Sequence, residues 1–103
     1  MSQSTLDGKV AIISGASRGI GEAIARSFVA AGARVALSSR KIENIGPVAA
    51  SINETTPGAA LAIVAHAGRR DEVAALVNRA VAQLGGVDIA VNNAATKPHF
   101  RPL

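Results

Sequence analysis

Three glycines constrain this chain more than any other feature. Gly15, Gly19 and Gly21 stand in the run Ser14-Gly15-Ala16-Ser17-Arg18-Gly19-Ile20-Gly21, directly behind the apolar stretch Lys9–Ser14 (KVAIIS). Beyond the loop, Ile20, Ala23, Ile24, Ser27, Phe28 and Ala31 recur at the three-four spacing of one helical face, and Gly32 stands where a C-terminal cap belongs. A strand therefore turns tightly into a helix. Such a turn needs a residue free to adopt unusual dihedrals, and a further glycine lets the helix lie close on the strand. The helix opening near Gly19 presents unpaired amides and the positive end of its dipole. The loop is built to receive an anion, and a closely approaching pyrophosphate leaves no room for a Cβ.

The rest of the chain repeats the alternation. Val10-Ala11-Ile12-Ile13 is apolar without a break, as in a strand covered on both faces. Arg34–Ser39 (RVALSS), Ala60–Ala65 (ALAIVA) and Val87–Asn92 (VDIAVN) read the same way. Asp71 is the expected N-cap of a helix whose stripe is Val73, Leu76, Val77, Ala80, Val81 and Leu84, closed by Gly85-Gly86. Ile42–Glu54 has helical content, but Gly46-Pro47 interrupts it. Pro47 lacks an amide donor and restricts its predecessor, which predicts a kink or a helix starting near residue 47. Strand and helix three times, then a fourth strand, is the order of right-handed βαβ crossovers. The predicted fold is α/β: a Rossmann-like parallel sheet of about four strands with helices on both faces, the C-terminal half of the fold missing.

Composition removes several chemistries. There is no Cys, hence no disulfide framework, no Cys-based zinc site and no thiol nucleophile. There is no Tyr to act as acid, base or nucleophile, and with only two Phe the core must be built from Ala, Val, Ile and Leu. His66 and His99 lack a helical partner or a carboxylate cluster, so no metal site is expected. The N-terminus is polar, without a signal-peptide layout, and the apolar runs fall far short of the ~20 residues of a membrane span. A soluble, cytoplasmic protein is expected. The net charge of +4 raises nucleic acid as a partner, yet no basic run exceeds two residues and no aromatic lies among them. A solvated basic surface is the reading, with no nucleic-acid partner.

About 20 residues past the glycines, where dinucleotide folds that bind NAD place an acid on the ribose 2′-hydroxyl, the sequence reads Ser38-Ser39-Arg40-Lys41. No carboxylate follows until Glu43. An Arg there pairs with a 2′-phosphate, which favours NADP(H) over NAD(H), and Arg18 in the glycine loop can close on the same phosphate. Taken singly, each Arg reads equally as surface charge.

These residues resemble the short-chain dehydrogenase/reductase family. Its phosphate motif, Thr-Gly-x-x-x-Gly-x-Gly, is matched by Ser14 to Gly21 with Ser for Thr, and its Asn-Asn-Ala-Gly motif by Asn92-Asn93-Ala94-Ala95 with Ala for the last Gly. Leu6-Asp7-Gly8-Lys9-Val10-Ala11 is similar to the family's usual lead into the first strand. The resemblance implies that Gly15, Ser17, Arg18, Gly19, Ile20 and Gly21 hold the pyrophosphate and that Ser39 and Arg40 hold the 2′-phosphate. It implies further that Asn93 and Ala94 lie beside the nicotinamide-side ribose, while Asn92 braces the central strands. Where the family commonly has an Asp that meets the adenine, this chain has His66. That His can stack on or hydrogen-bond to adenine, or stand in water at the strand end.

The family's catalytic Ser and Tyr-x-x-x-Lys follow its Asn-Asn-Ala-Gly motif. Here no Ser occurs after Ser51, no Tyr occurs at all, and after Lys41 the one Lys is Lys97. No catalytic residue is assigned. Residues 1–103 are read as one N-terminal dinucleotide-binding part of an oxidoreductase, with 94–103 as a loop or truncated end. The expected function is the NADP(H)-binding portion of an enzyme transferring hydride between nicotinamide and an alcohol or carbonyl, inactive as this chain. Substrate and any oligomer belong to a full-length parent. The alternative is a stand-alone dinucleotide-binding module without catalysis. On that alternative the fourth strand is left as a bare apolar edge unless a partner covers it.

Overall fold

All four apolar runs become strands of one parallel sheet in the computed structural model, which describes residues 5–15, 19–66 and 68–92. In chain order the elements are β1 (Val10–Ser14), α1 (Ile20–Ala30), β2 (Arg34–Ser39), α2 (Ile42–Thr55), β3 (Ala60–Val64), α3 (Arg70–Leu84) and β4 (Ile89–Asn92). The strand order is β3-β2-β1-β4. The chain thus moves outward from β1 to β3, then crosses back to place β4 on β1's other side. The Rossmann-like expectation is met.

Alternation along the strands divides the core. Ala11 and Ile13 of β1, with Val35 and Leu37 of β2, pack against Ala25 of α1 and against Ile45, Val48, Ala49 and Ile52 of α2. Val10, Ile12 and Ala36 point the other way, onto Leu76, Ala80 and Leu84 of α3. Ile13, Leu37, Ile45 and Val35 are fully buried, each contributing about 1.5–3 kcal/mol of transfer free energy. Helices on both faces leave no polar side for β1 or β2, which explains their unbroken apolar runs.

The end of α1 forms a Schellman motif. The amide of Ala33 donates to the Phe28 carbonyl at 3.0 Å and that of Gly32 to the Val29 carbonyl at 3.0 Å. Gly32 thus occupies the position expected of it, and α3 stops at Gly85 as expected.

Other expectations are corrected. The buried face of α1 is Gly21 and Ala25, flanked by the partly buried Ile24, Phe28 and Val29. It is turned by about one residue from the expected stripe: Ile20 is 70% exposed, and Ala23 and Ser27 are exposed too. Small side chains at 21 and 25 let the helix axis approach the sheet closely, a gain that bulkier residues at those positions would forfeit. Asp71 is not the N-cap of α3. Arg69 holds that position in an extended conformation, and Asp71 and Glu72 lie in the first turn, where their charge complements the helix dipole. Val81 is half exposed, because α3 turns only a narrow stripe of 76, 80 and 84 inward.

Helix α2 begins at Ile42 and runs through Pro47 to Thr55. Of the two alternatives, a start near residue 47 is ruled out, and the helix runs on through the proline. The lost bond is that from residue 47 to the Glu43 carbonyl, in an exposed turn where water can replace it. Gly46 has no Cβ to meet the proline ring, which removes much of the usual bar to helix before proline. Strand β4 is shorter than expected: it begins at Ile89, because Asp88 spends its backbone and side chain on Val10. The Asp88 amide donates to the Val10 carbonyl at 2.8 Å, and its carboxylate accepts the Val10 amide at 2.9 Å.

Candidate functional site

The carboxyl ends of the four parallel strands lie along one edge of the sheet. Ser14 is in register with Ser38 on one side and with Asn92 on the other, and Ser39 is in register with Val64. Gly15, Arg40 and His66 each follow one of these strand ends, so parallel pairing alone gathers residues drawn from three separate stretches of sequence. In such sheets ligands bind outside the carboxyl ends, where the strand order reverses, here between β1 and β4.

At β1 the turn leaves through Gly15 (φ 71°) and enters α1 through Gly19, whose φ of 92° and ψ of −124° suit only glycine. No side chain caps this helix, and a Cβ built on Gly19 would meet nothing within 4 Å. Among the described residues the first-turn amides of α1 thus have no side-chain cap, and Gly19 itself carries no side chain to stand beside them. Gly21, one residue inside the helix, is buried. Ser17 and Arg18 lie outside the described residues, as do Asn93, Ala94 and the whole of 94–103.

At β2 the Ser39 hydroxyl oxygen accepts the Lys41 amide at 3.4 Å and the Asn44 side-chain amide at 3.2 Å. Among the described residues its own O–H has no acceptor. Arg40 follows, exposed, and makes neither of the ion pairs seen among the described residues, which join Arg26 to Glu22 and Arg69 to Glu72. Its Nη1 lies 3.5 Å from His66 Nε2. The ends of β2 and β3 thus bring Arg40 and His66 together. The His66 amide donates to the Glu72 carboxylate at 2.7 Å, and its ring Nδ1 accepts the Gly68 amide at 3.0 Å.

Asn44, Gly68 and Glu72 escaped the sequence reading. Asn44 and Glu72 sit in first helical turns just past the strand ends, where polar side chains reach back to the preceding loop, and that placement was the available signal.

Comparison with known proteins gives one consistent family. The family model described as short chain dehydrogenase matches residues 9–102. The bovine protein named dehydrogenase/reductase SDR family member 4 is 41% identical over 101 residues, 95% of this chain and 35% of its own. A short chain dehydrogenase of Mycobacterium thermoresistibile superposes with a TM-score of 0.78 at 46% identity, over 86% of this chain and 34% of its own. The 3-ketoacyl-(acyl-carrier-protein) reductase of Brucella melitensis, solved in complex with NADH, superposes with a TM-score of 0.76 at 38% identity, over 84% of this chain and 34% of its own. The chain spans about a third of the length of the curated relatives it matches. Among the described residues no helix is long and apolar enough to cross a membrane.

Proposed function

The chain belongs to the short-chain dehydrogenase family, and from that premise we propose that it is the NADP(H)-binding portion of an oxidoreductase acting on an alcohol or carbonyl. When bound, the nicotinamide exchanges a hydride with the substrate carbon. The chain's own residues supply the seat. The first turn of α1, without a side-chain cap among the described residues, and the bare Gly19 suit a pyrophosphate, which needs donors, positive potential and room for close approach. The family's motifs assign Ser17, Arg18, Ile20 and Gly21 to the same phosphate loop and Asn93 and Ala94 to the nicotinamide-side ribose.

One observation carries the preference for NADP(H). Arg40 stands at the end of β2 with no carboxylate partner among the described residues, beside a Ser39 hydroxyl free to donate. A carboxylate there would accept the ribose 2′-hydroxyl and repel a 2′-phosphate; a guanidinium does the reverse. The Brucella reductase was solved with NADH, so membership of the family leaves the choice between the two cofactors to residues such as these.

These 103 residues bind cofactor without turnover on this reading, since they contain no Tyr to exchange a proton with the substrate oxygen. Fluorescence titration with NADPH and NADH tests the assignment. NADPH should bind at least about tenfold tighter, and Arg40→Asp should erase that margin while changing NADH little. Equal effects of the substitution on the two cofactors would sink the 2′-phosphate assignment.

A further inference from the structure

The contact between Arg40 and His66 has a definite polarity. His66 Nδ1 accepts the Gly68 amide at 3.0 Å, and an imidazole whose Nδ1 is an acceptor carries its proton on Nε2. That Nε2–H lies 3.5 Å from Arg40 Nη1, itself a donor without a lone pair. Two donors do not bond to one another. Held this close at the same edge of the sheet, they are placed to serve one common acceptor, and a positively charged pair of donors selects an anionic oxygen.

Resting on the reading of Arg40 given above, we propose that His66 is a specificity-determining residue: it donates through Nε2 to the same 2′-phosphate that Arg40 pairs with. The surroundings hold the ring for that purpose. The Glu72 carboxylate accepts the His66 amide at 2.7 Å and the Arg69 amide donates to the His66 carbonyl at 3.0 Å, which fixes the backbone on both sides. Gly68 fixes the ring. A Cβ there would come within 3.0 Å of His66 Cε1 and 3.2 Å of Nδ1, so a side chain at 68 makes the imidazole shift by a few tenths of an ångström. Among the described residues the carboxylate bonded to this loop, that of Glu72, is engaged by the His66 backbone and by Arg69, at 3.8 Å, rather than by the ring. His66, Gly68 and Glu72 therefore form a positioned donor just past the end of β3, beside the donors at the end of β2.

The probes are adenosine 2′,5′-bisphosphate and 5′-AMP, titrated calorimetrically into the chain, with a thermal melt confirming that each variant is folded. Both carry adenine and only the first carries the 2′-phosphate. His66→Leu should weaken the bisphosphate by about tenfold, the size of one charge-assisted hydrogen bond at an exposed site, and leave 5′-AMP within about twofold. His66→Gln, whose amide reaches as far as Nε2, should recover most of the loss, and Gly68→Ala should reproduce part of it. Equal weakening of both probes by His66→Leu would make His66 an adenine contact and overturn the proposal, as would no effect on either. Arg40→Ala separates the two claims. If it too leaves the preference for the bisphosphate intact, the NADP(H) reading fails; if it abolishes the preference while His66→Leu does not, only the role of His66 fails.

Discussion

Gly32 couples three parts of the molecule through one backbone conformation. Its φ of 101° reverses the chain at the end of α1, and a Cβ there would lie 2.8 Å from the Asp7 carboxylate and 2.9 Å from the Asp7 Cα. The segment before β1 is thereby laid across the helix end, where the Leu6 amide donates to the Ala31 carbonyl at 2.9 Å. Two penalties meet at this residue, the left-handed backbone and a clash with main chain that cannot rotate away. Gly58 carries only the first: its φ is 77°, but nothing lies within 4 Å of a Cβ built on it. Gly32→Ala should therefore cost about 3 kcal/mol and Gly58→Ala about 1 kcal/mol by urea denaturation. Equal costs would mean that the chain before β1 is not docked on α1. Gly68 likewise places the His66 ring, both through the amide that Nδ1 accepts and through the Cβ it lacks.

Among the elements, α2 is the one that holds a local conflict. Pro47 lies in its second turn, and the preceding Gly46 makes helical backbone tolerable there. Apart from the neighbouring proline ring, space is not the reason for Gly46, since a Cβ would sit at an ordinary 3.5 Å from Ile42 Cγ1. The two substitutions should consequently couple. Pro47→Ala restores an amide donor and should stabilise the chain by about 1 kcal/mol, net of the greater freedom it gives the unfolded state. Gly46→Ala should destabilise while Pro47 is present and stabilise by up to about 1 kcal/mol once it is gone. Additive effects in thermal melts of the four variants would refute the coupling. This helix also shows where local reading of sequence stops. The strands, the glycine turn and the end of α1 were legible because their signals are local: unbroken apolar runs, turn residues, caps. The start of α2 was not, because the burial of Ile45, Val48, Ala49 and Ile52 outweighs the proline and is a tertiary fact. The face of α1 was misjudged for a related reason. Gly21 and Ala25 are inward because they are small, and apolar periodicity gives small residues little weight. Of the site, strand-end positions were readable, whereas the pairing of Arg40 with His66 depends on the sheet bringing β2 beside β3.

At the scale of the whole molecule, the sheet is closed by contacts between its most distant stretches. Its two edges are held differently. On β3, the Asn53 side-chain amide bonds both backbone groups of Ala60 at 2.9 Å, standing in for a further strand at that point. β4 sits at the opposite edge, with Ile89 and Val91 only partly buried and Ala90 exposed. What ties it to β1 at the start of the ladder is Asp88, 78 residues from Val10 along the chain. Its carboxylate satisfies the amide of a residue that is 2% exposed, and the parallel pairing of Ala11 with Ile89 begins at the next position. Removing that acceptor strands a buried donor, so Asp88→Ala should cost about 1–3 kcal/mol. The loss should be concentrated in β4, whose amides should exchange with solvent faster while those of β2 keep their rank as the slowest. Asp88→Asn keeps an oxygen at the same place and should recover most of the stability, less the share that came from its charge. If Ala and Asn behave alike, the carboxylate bond to Val10 contributes nothing, and β4 is held by its ladder and by the contacts of Ile89 and Val91 alone.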